Sequence, residues 1–134
     1  MGYEVPDIGP SGPIISLGVR RELGYPSAGF RPISCNGLVD TGASSTAIAP
    51  AAAKPAGLVW TGVATVARQG GTVLVPTYGA RVRLGGVGPA GWRELVLLRT
   101  APSNSGVEML LGRDILAWVS MLYVGSKGHA AILY

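Results

Sequence analysis

The sequence predicts a mostly β fold with one short helix near its C-terminal end. Twenty-one glycines and ten prolines in 134 residues demand many tight turns, which suits short strands better than helices. The apolar residues fall in short runs separated by turn residues such as Gly, Pro, Asn, Asp and Ser, as strands do. Helical spacing is clearest over Arg113 to Val119, where Ile115, Leu116 and Val119 share one face.

Residues 1–12, with Pro6, Pro10 and Pro13 in or next to them among glycines, read as an irregular lead-in to a single domain over 13–134. Ile14 to Val19 gives a first strand, and Phe30 to Val39 a second with Gly37 as its weak point. Asp40-Thr41-Gly42-Ala43-Ser44-Ser45 interrupts the pattern directly after Leu38-Val39, and Thr46 to Ile48 resumes it. Pro50 suits a helix start and Gly57 a helix end, while Pro55 limits that helix to one or two turns. Val63 to Val66 and Thr72 to Val75 flank Ala67-Arg68-Gln69-Gly70-Gly71, where paired glycines supply a hairpin tip. Arg81 to Leu84 alternates as a further half-exposed strand. Turn residues run from Gly85 to Gly91, followed by an apolar strand over Leu95 to Leu98 and a polar loop over Thr100 to Gly106. Met109 to Leu111 reads as a buried strand ending at Gly112. Met121 to Val124 and Ala130 to Tyr134, joined through Gly125 to Gly128, make a closing hairpin.

Composition narrows the chemistry. Cys35 is the one cysteine and His129 the one histidine, so an internal disulfide and thiolate- or His-rich metal sites are excluded. The net charge of +4 comes from arginines scattered along the chain, which reads as solvated surface rather than a nucleic-acid footprint. No apolar run approaches the ~20 residues that span a bilayer, and no signal-peptide pattern opens the chain. The compartment stays open, with a cytoplasmic location the expectation. No cofactor or metal is expected.

The informative feature is a pair of motifs. Leu38-Val39-Asp40-Thr41-Gly42-Ala43-Ser44 and Leu110-Leu111-Gly112-Arg113-Asp114-Ile115-Leu116 stand in that order, with the glycine-tipped hairpin between them. An Asp on a tight turn after a buried strand is presented at a cleft floor. The neighbouring Gly admits a second backbone, and the Thr hydroxyl stiffens the loop. Two carboxylates held face to face share one proton, so one serves as base toward water and the other as acid toward a carbonyl. Asp-Thr-Gly occurs once. The remaining aspartates are Asp7, in the lead-in, and Asp114, in the second motif. A second catalytic carboxylate is therefore expected from another copy across a two-fold axis.

These residues resemble the retropepsins, the retroviral-type aspartic proteases and their cellular relatives. The Asp40 motif is similar to that family's catalytic loop, Gly70-Gly71-Thr72-Val73-Leu74-Val75-Pro76-Thr77-Tyr78 to its flap, and Leu110 to Asp114 to its second signature. The resemblance spans residues 30 to 134 and implies a small closed barrel working as a homodimeric endopeptidase on extended polypeptides. It makes Asp40 the catalytic carboxylate, has Thr41 bond across the dimer axis and has Gly42 bind substrate backbone. Ala43, Ser44 and the flap residues Gln69, Gly70, Gly71 and Thr72 would contact substrate, while Gly112, Arg113 and Asp114 would support the site. Many viral members carry an acidic residue where this chain has Ser44, paired with the Arg of the second signature. Arg113 must therefore bond elsewhere, to Asp114 or a main-chain carbonyl. Pockets lined by Ile48, Val73 and Val75 are expected to favour hydrophobic side chains.

Other readings weigh less. An isolated Asp-Thr-Gly is an ordinary turn, but the second motif argues against that here. Gly86 to Gly91 matches a dinucleotide-binding glycine pattern by letters, yet precedes a strand-like run, so it reads as a hairpin turn. Ser44 with His129 lacks the closing Gly of a nucleophile elbow. Cys35 and the three tryptophans, Trp60, Trp92 and Trp118, are expected in packing roles, and His129 on the closing hairpin's surface; Tyr78 could face either the cleft or solvent. The competing class is a non-catalytic module that keeps the fold for dimerisation or peptide binding. A weaker one is a precursor domain matured by N-terminal cleavage.

Overall fold

A computed structural model describes residues 3–4, 7–9, 12–26, 29–100, 106–124 and 129–134. Eleven strands and two short helices occur among them. They are β1 (Tyr3–Glu4), β2 (Asp7–Gly9), β3 (Gly12–Arg21), β4 (Ile33–Val39), β5 (Ala47–Ile48), α1 (Pro50–Ala53), β6 (Val59–Arg68) and β7 (Gly71–Leu84). β8 (Arg93–Arg99), β9 (Met109–Leu111), α2 (Arg113–Leu116), β10 (Ser120–Val124) and β11 (His129–Leu133) complete the order.

Six strands close into a barrel. The sheet runs β3-β4-β9-β5-β8-β7, and β7 pairs back onto β3 through Leu17↔Leu84 to Arg21↔Ala80. Along β3 the alternate residues Ile15, Leu17 and Val19 all point inward, at 2% exposure or less. Leu97, Met109, Leu111, Ile48, Val82 and Ile115 fill the interior with them. β2 flanks β3, β6 flanks β7, and a separate sheet runs β1-β11-β10.

Several expectations change. The lead-in contains β1 and β2, paired with β11 and β3; the prolines at 6 and 10, which cannot donate to a ladder, accompany strands of two and three residues. Arg81 to Leu84 is the end of β7 rather than a separate strand, because that 14-residue strand serves β6, β8 and β3 in succession. Gly37 is no weak point: a Cβ there would lie 2.5 Å from Leu17 Cδ1 and 2.9 Å from Leu111 Cδ2, so its bareness lets the core close. The helix expected over Arg113 to Val119 keeps four residues, since Trp118 and Val119 donate to carbonyls only three residues back and the chain turns into β10.

Other expectations hold. α1 starts on Pro50 and ends before Pro55. Gly86 to Gly91 lies in the turn between β7 and β8, and β10 and β11 form the closing hairpin. Trp118 packs against the core and half-buried Trp92 donates from Nε1 to the Gly88 carbonyl at 2.9 Å. Trp60 departs from its expected packing role, at 65% exposure. The turn at Gly125 to Gly128 and residues 101–105 of the polar loop lie outside the described residues, as does the His129 side chain.

Candidate functional site

β9 holds the Asp40 loop from both sides. It pairs parallel with β4, through Gly37↔Met109 to Val39↔Leu111, and antiparallel with β5, through Ala47↔Leu110 and Ile48↔Met109. The chain leaving β4 and returning into β5 is thus strapped across one central strand. Asp40 sits half-buried at the exit, its N–H bonded to the Leu111 carbonyl at 3.0 Å. Its Oδ1 accepts the Gly42 N–H at 3.0 Å, and its carbonyl accepts the Ala43 N–H at 3.2 Å. This Asx-type turn fixes one carboxylate oxygen.

A second layer locks the loop to the second motif. Thr46, fully buried, donates from Oγ1 to Asp114 Oδ1 at 2.6 Å and accepts the Gly112 N–H at 3.0 Å. The Thr46 N–H reaches Asp114 Oδ2 at 3.0 Å. The Ile115 N–H donates to Asp114 Oδ1 at 2.8 Å, so both carboxylate oxygens are committed. The Arg113 N–H donates to the Ala43 carbonyl at 2.9 Å, and Nη1 donates to the Thr41 carbonyl at 3.0 Å. Of the two partners expected for Arg113, the main-chain carbonyl is the one found. Gly112 has a steric reason: a Cβ would lie 2.5–2.8 Å from the Ser45 backbone.

The hairpin of β6 and β7 overhangs this loop. Its strands stay in register from Gly62↔Thr77 to Arg68↔Gly71, and Gln69-Gly70 forms the two-residue tip, with Gly70 at φ 91° and Gly71 at φ 137°. Between hairpin and loop lies a cleft of about 430 Å³, lined by Gly42 to Ser45, Ala64 to Arg68 and Leu98.

The structure therefore brings Gly42, Ala43 and Ser44 together with β6, directly beside Asp40 and Thr41. Gln69, Gly70, Gly71 and Thr72 lie at the exposed tip, outside that lining. None of the three residues expected to line apolar pockets lines this cleft. Ile48 is fully buried because β5 runs through the barrel wall, Val75 is 5% exposed, and Val73 is 40% exposed on the hairpin. Ala64, Val66 and Leu98 supply the apolar lining instead. Tyr78 lines a different cavity, with Arg21, Phe30 and Arg99. Sequence reasoning missed Thr46, whose letters carry no signal apart from its partner 68 positions away.

Cys35, at 1% exposure, is a packing residue of β4. Burial, with a smaller contribution from nearby Glu108, pushes its thiol up to about 12, so it stays protonated. Among the described residues, no three His, Cys, Asp or Glu side chains converge, and no helix is long and apolar enough to cross a membrane.

The family model for aspartyl proteases matches residues 29–115. Among solved structures, the chain is similar to a retropepsin-like aspartic protease from Rickettsia conorii, with a TM-score of 0.57 and 17% identity, over 99% of this chain and 91% of that one. It is also similar to the foamy viral protease-reverse transcriptase, solved with an RNA/DNA hybrid, with a TM-score of 0.53 and 18% identity. That match covers 83% of this chain and 12% of the viral one. No curated protein sequence matches.

Proposed function

The chain belongs to the aspartyl protease family, whose model spans residues 29–115, and on that premise we propose that it is an endopeptidase whose catalytic pair is Asp40 from each of two copies. Its fold is that of the retropepsin-like proteases. The observation that carries the proposal is the disposition of aspartates: Asp40 sits half-buried on the loop whose next residues, Gly42 to Ser45, line the cleft, while Asp114 has both oxygens committed to Thr46 and Ile115. Asp114 is thus unfit as the second acid.

In this reading the two Asp40 carboxylates share one proton. The ionised one takes a proton from water, whose oxygen attacks the scissile carbonyl carbon, while the protonated one gives its proton to the carbonyl oxygen. The tetrahedral diol then returns a proton to the dyad, the amide nitrogen takes one up, and the C–N bond breaks. The Gly42 N–H, donating to Oδ1, holds each carboxylate in its plane. In the same reading Thr41 bonds across the two-fold axis, Gly42 offers its backbone to substrate, and Ala43 and Ser44 contact the substrate chain. The tip at Gln69 to Thr72 closes on bound peptide as a flap.

The working unit takes in β1 and β2, which pair with β11 and β3, together with residues 13–134. The edge of β10 away from β11 is unpaired among the described residues; Leu122 and Met121 of β10 are 62% and 38% exposed, and Leu133 of the neighbouring β11 is 43% exposed. This edge suits a second copy.

Cleavage of a mixed peptide pool from acidic to neutral pH, with wild type beside Asp40→Asn, tests the proposal. Expected is cleavage by wild type alone, rising with dimer formation and blocked by a statine-type inhibitor. Equal activity in both would remove Asp40 from the mechanism. Silence from both, with each folded and dimeric, would return the chain to the peptide-binding module.

A further inference from the structure

Resting on the protease reading, we propose that the cleft beside the Asp40 loop selects an acidic side chain of the substrate, with Arg68 as its specificity-determining residue. Among the described residues, Arg68 is the one cation in the lining, and no carboxylate lines it. Its partner among the described residues is neutral: Nη2 donates to Thr100 Oγ1 at 3.4 Å, a long bond that bridges from the hairpin to the segment after β8. Most of the guanidinium's five N–H donors stay uncommitted.

The remaining surfaces fit the same ligand. Ser44 and Ser45 line the cleft, and their hydroxyls make no hydrogen bond to another described residue, so both are free to donate to a carboxylate. Ala64, Val66 and Leu98 offer small apolar walls for a short aliphatic stem. A purely apolar side chain in this space would strip water from Arg68 without replacing it. A glutamate or aspartate supplies charge-assisted hydrogen bonds in exchange. The cleft volume of about 430 Å³ accommodates such a side chain together with its backbone.

The experiment compares peptides that differ only by Glu, Gln, Leu or Lys at each position flanking the scissile bond. Two readouts are taken: kcat/KM with wild type, Arg68→Gln and Arg68→Glu, and affinity with Asp40→Asn, which reads the subsite without turnover. At one position wild type should favour Glu over Gln on the order of tenfold. Arg68→Gln should bring that ratio to about one, and Arg68→Glu should turn the preference toward Lys. Because Arg68 is exposed, unfolding midpoints should show all variants folded. Equal rates for Glu and Gln at every position, or a Glu preference that survives Arg68→Gln, overturns the inference and leaves the protease reading standing. Neither cleavage nor binding of any peptide removes both.

Discussion

The loop that carries Asp40 and the hairpin that overhangs it face each other across one cleft, yet they are secured differently. Around the loop, Thr46, Gly112, Arg113 and Asp114 are tied by hydrogen bonds between segments about 70 residues apart, with buried groups at the centre. Out on the hairpin, Val63 is 57% exposed, Leu74 70% and Trp60 65%, and the ladder to β6 is the main support of the tip. The tighter anchoring is concentrated on the loop that carries Asp40. The opposite wall keeps apolar surface in hand, which suits a segment that finds its contacts only when something is bound.

Substitutions can break that contrast, beginning with the most damaging. Gly112→Ala drives a methyl group into the Ser45 backbone, which cannot retreat as a side chain tip would. A loss of about 3 kcal/mol or more is expected in urea unfolding, together with loss of activity. Next, Asp114→Ala strands the buried Thr46 N–H and hydroxyl. It should cost about 2–3 kcal/mol, and activity should fall beyond what the unfolded fraction explains, because the loop then loses its anchor.

Titration sharpens the comparison on the loop's side. Cys35 lies in the strand that leads to Asp40, and burial raises its folded-state pKa to about 12, above the ordinary thiol value of 9.0. The folded chain therefore holds a proton that the unfolded chain releases, so the contribution is intact below pH 9 and is lost as pH rises from 9 through 12. Cys35→Ala should flatten the alkaline limb of a stability–pH curve. Native Cys35 should also resist iodoacetamide at neutral pH until denaturant is added. The smallest effect belongs to the hairpin. Leu74→Thr should move stability by less than about 0.5 kcal/mol, and a larger loss would show that the tip is already packed in the free chain.

Legibility in the sequence follows the range of the interaction. β3, β4, β9 and the β6–β7 hairpin were readable because alternation, apolar runs and paired glycines are local signals. The tight turn at Asp40 was readable because it is local too, held by the Gly42 N–H two residues on. Thr46 was not, since only its bonds to Gly112 and Asp114 distinguish it from any threonine before a strand. Ile48 and Val75 were misjudged for a related reason: an apolar residue near a cleft and one inside a barrel wall look alike until the strands are closed. Trp60 shows the reverse, an aromatic whose burial could not be inferred from its type.

Parallel pairing of β4 with β9 also has a consequence in time. Residues 37–39 meet residues 109–111, and the Asp40 loop is bonded to Leu111, Gly112 and Arg113 by way of its own residues or Thr46. Contacts this distant in sequence form late and slowly, because a long loop must close before any bond repays it. During synthesis, Asp40 emerges long before the segment that aims it. A growing chain thus carries the carboxylate without the geometry, and the cleft is completed only after residue 114 is available.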